Sequence, residues 1–189
     1  MLRPVSLLPA FLDLRGARAV IVGGGRVALR RAQTLLRAGL SVTVVAPQVQ
    51  AELSALPVAV VARAYAPGDL RGAALVVAAT PDAGVNAQVV QEARAQGSLV
   101  NDAADAARGT LRFAAVAEEA GVQVAVSSGR ELPMLAQALA QRCAALLPTE
   151  AQLCGWTAQR EAALILPEPE KHTALNTLRE DIRRALGAA

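Results

Sequence analysis

The stretch Ala17–Gly39, ARAVIVGGGRVALRRAQTLLRAG, decides the fold. Ala17–Val22 is a short β-branched run, which favours an extended strand. Gly23, Gly24 and Gly25 follow at once, and the apolar residues beyond them recur at helical spacing until Gly39 stops the helix. Gly23, Gly25 and Ala28 therefore form G-x-G-x-x-A at a strand-to-helix junction. There the first glycine permits a tight turn, the second lets backbone approach a pyrophosphate, and Ala28 allows close packing of helix on strand. The helix N-terminus offers unpaired N–H groups and a positive dipole end to phosphate. Taken alone, the turn also admits a purely structural reading.

Outward from this junction the same rhythm repeats. Ser41–Ala46 (SVTVVA), Val58–Ala62 (VAVVA), Ala74–Ala79 (ALVVAA) and Ser98–Asn101 (SLVN) read as strands. Between them lie a short helical stretch, AELSAL, and a longer one, VNAQVVQEARAQG, ending at Gly97. Continuous valine-rich runs suit parallel strands buried on both faces. With right-handed crossovers, the expectation is an α/β fold of Rossmann type, a doubly wound parallel sheet that binds ligands at the carboxyl ends of its strands.

After Asp105 the rhythm changes. TLRFAAV and VQVAVSS read as strands on either side of an AEEAG turn, and Pro133 opens the helix PMLAQALAQRCAALL. Two further helical stretches, 149–166 and 171–187, are separated by LPEPEK, whose prolines forbid one continuous helix. A domain boundary is expected near residue 110.

Composition narrows the partners. Of 189 residues 53% are hydrophobic and only 2% aromatic, so the core is built from Ala, Val and Leu. The net charge of +3 rests on arginine, Lys171 being the single lysine, and no basic tract forms. Without aromatic stacking platforms a nucleic-acid partner is not expected, whereas arginine pairs well with carboxylates and suits a small anionic substrate. Cys143 and Cys154 are too few for a zinc site. The apolar start of the chain carries no signal-peptide cleavage pattern and no run spans a bilayer, so no membrane partner and a cytoplasmic location are expected.

At the end of the second strand, where an acidic residue ordinarily binds the ribose of NAD, the chain has Ala46-Pro47-Gln48. The choice between NAD and NADP is left open there, and backbone groups of Pro47 and Gln48 are the candidates to hold the ribose.

Further motifs carry a resemblance. LPAFLDLRG at 8–16, GGGRVALRRA at 23–32, VVAATPDAGVN at 76–86, VNDAAD at 100–105, VAVSSG at 124–129, Pro133 and ALLP at 145–148 together resemble the precorrin-2 dehydrogenases. That family includes members bifunctional with sirohydrochlorin ferrochelatase and the N-terminal part of siroheme synthases. The resemblance implies NAD-dependent oxidation of precorrin-2, a tetrapyrrole, to sirohydrochlorin on the route to siroheme or cobalamin, by a homodimer. It implies an NAD-binding Rossmann domain over 1–110, a dimerisation segment over 111–148 and a helical domain over 149–189. Carried over by position, Gly23, Gly24, Gly25, Arg26 and Val27 bear on the pyrophosphate, Pro47 and Gln48 on the ribose, and Thr80 with Asn86 on the nicotinamide side. Ser128 falls where the family has an active-site serine.

The family's aspartate, three residues after the strand-five asparagine, corresponds to Ala104, and the family's proline after the middle strand to Ala114 or Ala115. Asp102 and Asp105 flank Ala104 and are the candidate catalytic carboxylates, as general base or acceptor of pyrrole protons; turn and cap residues is their other reading. Arg108, Arg112, Arg130 and Arg142 are candidates to meet substrate carboxylates, or solvated. His172 is read as incidental, no metal site is expected, and insertion of Fe²⁺ or Co²⁺ is expected to be weak or absent. Two other functions stay open: a non-catalytic NAD-binding regulator or tetrapyrrole carrier, and a dehydrogenase of another small anionic substrate.

Overall fold

The computed structural model describes residues 7–129 and 132–188. Two compact units divide the chain, Pro9–Phe113 and the part from Ala114 onward. In the first, the elements run β1 (Arg18–Val22), α1 (Arg26–Arg37), β2 (Ser41–Val45), α2 (Ala51–Ser54), β3 (Ala59–Val61), β4 (Leu75–Ala78), α3 (Ala83–Ala95) and β5 (Leu99–Asp102). All five strands are parallel in the order β3-β2-β1-β4-β5. The chain therefore leaves β1 in one direction for β2 and β3, then returns to its other side for β4 and β5. That reversal, between β1 and β4, opens the crevice where this topology receives ligands.

Side chains alternate along each strand into two cores. Ala19, Ile21, Val42, Val44, Leu75 and Val77 pack with Ala28, Ala32 and Leu35 of α1 and Leu53 of α2. Val20, Val22, Val45, Val76, Ala78 and Val100 pack on the opposite face with Val89, Val90 and Ala93 of α3 and with Leu70 and Ala73 of the β3–β4 connection. Small residues on the inner faces of α1 and α3 let the helices approach the sheet closely. The connection is clamped by polar contacts: Arg63 pairs with Asp69 at 2.6 Å, holding that carboxyl below its usual range, and the Tyr65 hydroxyl donates to Glu92. On α1, the Arg31 guanidinium lies 4.1 Å from the Phe113 ring centroid, and its burial brings it down to about 10.

Two details depart from the sequence reading. The valine-rich third strand is only Ala59–Val61 and is not buried on both faces; Val60 is exposed. It is an edge strand, and the single turn of α2 is too short to cover it. The second departure lies in the other unit, where β6 (Ala115–Glu119) and β7 (Val122–Val126) form an antiparallel hairpin. Residues 117–119 belong to the strand, and not to a turn. Ala120 and Gly121, both at positive φ, close the hairpin in two residues.

In the second unit α4 (Pro133–Ala144) packs on this hairpin, and α5 (Glu150–Leu164) pairs with α6 (Glu170–Ala185). Thr149 and Gln152 form a capping box that starts α5, and Pro133 occupies the first turn of α4. No helix among the described residues is long and apolar enough to cross a membrane.

Candidate functional site: a glycine turn at the head of the sheet

The three glycines have separate duties. Gly23 sits at φ +128°, and a Cβ there would lie 2.3 Å from the Ala79 carbonyl oxygen; its N–H donates to Val45 at 2.9 Å. Gly24 is pressed against the loop after β2: a Cβ would come within 2.0 Å of the Gln48 carbonyl oxygen, and the Gln50 N–H donates to the Gly24 carbonyl at 3.0 Å. Gly25, the N-cap of α1, has ordinary extended backbone, and a Cβ there would meet nothing within 4 Å. The first two glycines are thus required by close packing. The third leaves open space above the start of the helix.

No side chain caps α1. The first-turn N–H groups of the exposed residues Arg26 and Val27 remain available to an external anion at the positive end of the helix dipole. Arg26 and Val27 are exposed, and so are Pro47 and Gln48 beside them on the loop fixed against Gly24.

At the β4–α3 turn, Asn86 is 1% exposed and wholly engaged. Its Oδ1 accepts from the Thr80 N–H at 3.1 Å and from the Thr80 hydroxyl at 2.8 Å, while its Nδ2 donates to the Thr80 carbonyl at 3.0 Å. Asn86 shapes the turn, therefore, and leaves Thr80 at its rim. Asp82 finishes the turn as the N-cap of α3, accepting from the N–H groups of Gly84 and Val85.

At the end of β5, Asp102 is buried and Asp105 is exposed. Asp102 Oδ1 accepts from the N–H groups of Ala104 at 2.9 Å and Asp105 at 3.1 Å, and its Oδ2 lies 3.0 Å from Arg108 Nε. Asp105 caps the single 3₁₀ turn Ala106–Arg108, accepting from Ala107 N–H, and its Oδ2 stands 3.4 Å from the same Arg108 nitrogen. The Ala103 N–H donates to Ala78, tying this loop to the end of β4.

Gly23–Val27, Pro47, Gln48, Thr80, Asn86, Asp102 and Asp105 thus all lie at the carboxyl ends of parallel strands in one unit. Ser128 belongs to the second unit, where its hydroxyl accepts from the Leu132 N–H at 3.0 Å. Among the arginines, Arg112 is half-buried, Arg142 lies exposed in the last turn of α4, and Arg130 falls outside the described residues. Two residues that the sequence reading left out are Asp82 and Gln50. Asp82 had a local signal, an aspartate directly before a helix; the contact of Gln50 with Gly24 had none.

An uncapped helix start, open space over Gly25 and a sheet that reverses at β1 define a dinucleotide-binding protein of Rossmann type. The family described as "Putative NAD(P)-binding" matches residues 10–115, and the chain belongs to it. Siroheme synthase of Pseudomonas entomophila (strain L48) is 42% identical over 149 residues, covering 77% of this chain and 32% of that protein. That of Chromobacterium violaceum is 42% identical over 148 residues, covering 76% and 32%. The chain thus spans about a third of the length of these relatives. Among solved structures, SirC, a precorrin-2 dehydrogenase, has the same fold, with a TM-score of 0.74 at 23% identity over 97% of this chain and 100% of that one.

Proposed function

We propose that this chain is an NAD-dependent precorrin-2 dehydrogenase, forming sirohydrochlorin on the route to siroheme or cobalamin. The observation that carries the reading is the open Gly25 turn at the head of α1, in a chain similar to siroheme synthases over about three quarters of its length. NAD, when bound, supplies the acceptor for a hydride. The residues that hold it are the glycine turn with the first-turn N–H groups of Arg26 and Val27 at the pyrophosphate, backbone groups of Pro47 and Gln48 at the ribose, and the Thr80 rim on the nicotinamide side. Asn86 acts through Thr80.

Dehydrogenation also releases a proton, and Asp105 is the carboxylate assigned to take it, because half of its side chain is exposed while that of Asp102 is fully buried. Asp102 positions the loop that presents Asp105. The rest of the task is to orient the two reactants face to face and exclude water. Ser128 is assigned to line the substrate side and residues 111–148 to form the dimer contact, in a cytoplasmic homodimer.

One observation favours a second reading. Ala104 stands where the resemblance expects an aspartate, which suits a protein that binds NAD and tetrapyrrole without catalysis. Purified chain supplied with NAD and precorrin-2, and followed for NADH, separates the two: turnover is expected, whereas bound NAD without turnover would leave the regulator or carrier.

A further inference from the structure

The loop after β5 holds an arginine more firmly than its surface position requires. Arg108 is pinned through its backbone: its N–H donates to Asp105 at 3.1 Å, and its carbonyl accepts from Arg94 at 2.8 Å. The next residue, Gly109, lies so close to β5 that a Cβ would come within 2.8 Å of the Val100 carbonyl oxygen. The side chain is held by ion pairing: Nε is buried 3.0 Å from Asp102 Oδ2 and 3.4 Å from Asp105 Oδ2, without hydrogen-bond geometry to either. The Asp102 side chain is fully buried, so this anchor cannot swing out without exposing or orphaning a carboxylate. One third of the Arg108 side chain remains exposed, and none of its side-chain nitrogens donates a hydrogen bond among the described residues.

A guanidinium held between two carboxylates on its buried Nε side, with its terminal nitrogens unspent, is a preorganised receptor for a planar carboxylate. The ordering cost of the long side chain has been met by folding, and the fork matches a carboxylate in two parallel hydrogen bonds. The loop lies at the carboxyl end of the strands, tied to β4 through Ala103, on the side of the sheet where ligands bind in this topology. The two aspartates sit together at Nε and leave the outer fork to a third, external carboxylate.

We propose that Arg108 binds one carboxylate of the substrate, a polycarboxylate tetrapyrrole, and that Asp102 is the positioning residue that aims it. The assignment rests on the dehydrogenase reading above. It separates Arg108 from the exposed Arg142, which has no such anchor among the described residues.

The test is titration of the full chain with uroporphyrin, a stable polycarboxylate tetrapyrrole, beside titration of the same preparations with NAD and a thermal melt. Arg108→Gln, which keeps an amide N–H for Asp102 but loses charge and fork, is expected to weaken uroporphyrin binding at least about tenfold and leave NAD affinity within about twofold. Arg108→Lys, which keeps the charge and loses the fork, is expected to fall between, and decides the matter where the Gln variant does not fold. Unchanged uroporphyrin affinity in a folded variant, with only the melting temperature lowered, would show a purely structural ion pair and overturn the assignment alone. Wild-type chain that binds NAD but no uroporphyrin would overturn the tetrapyrrole reading and the assignment with it.

Discussion

Gly25 and Gly23 lie two residues apart and carry opposite predictions. A methyl group at Gly25 collides with nothing in the protein and projects into the space that the pyrophosphate is assigned. Gly25→Ala is therefore expected to melt within a few degrees of wild type and to lose NAD affinity by about tenfold or more, as isothermal titration reads it. At Gly23 the methyl group meets the Ala79 carbonyl, and φ of +128° is foreign to an L-residue. Gly23→Ala is expected to cost roughly 2 kcal/mol or more of stability, read by denaturant unfolding. Asp105→Ala should lower turnover far more than it weakens NAD binding; unchanged turnover would remove Asp105 from the mechanism. The glycine turn was legible in the sequence because its signature is the local absence of side chains. The duties of Asn86 and Asp102 were not, since both bind main-chain groups that only the finished turns present to them.

Element boundaries were legible where one local device sets them, as at Pro133 for α4, and less so where pairing decides. The β6–β7 hairpin shows the difference. Its turn is Ala120-Gly121, with φ of +49° and +80°, a conformation for which Asn-Gly is the clear sequence mark and Ala-Gly a faint one. The charged residues Glu118 and Glu119 therefore looked like turn and proved to be strand, paired with Gln123 and Val122. Since alanine is strained at positive φ, Ala120→Asn is expected to stabilise the hairpin by about 0.5–1 kcal/mol, seen as a raised melting temperature. The α2 element predicts the reverse. Its Leu53 is fully buried in the α1-side core, and α2 follows the loop that rests on Gly24. Leu53→Ala is expected to cost about 2–5 kcal/mol and to weaken NAD binding as the Pro47–Gln48 segment loosens; full NAD affinity in a folded variant would detach α2 from the site.

At the scale of the whole molecule, the parallel sheet of Pro9–Phe113 was written in the alternation of valine-rich runs and helices, which needs only local pattern and crossover handedness. The substrate was not written there, because one such sheet serves many chemistries; the motifs between residues 76 and 133 pointed to it. Purified chain is expected to insert Fe²⁺ or Co²⁺ into sirohydrochlorin slowly or not at all, and rapid insertion followed by absorbance would refute that. The central claim, cofactor-dependent dehydrogenation, is tested most directly by stoichiometry without added metal. With NAD and precorrin-2, NADH at 340 nm and sirohydrochlorin by its visible spectrum should rise together in equal amounts, and neither should form when NAD is omitted. Sirohydrochlorin appearing without NADH, or bound NAD with no product, would contradict it.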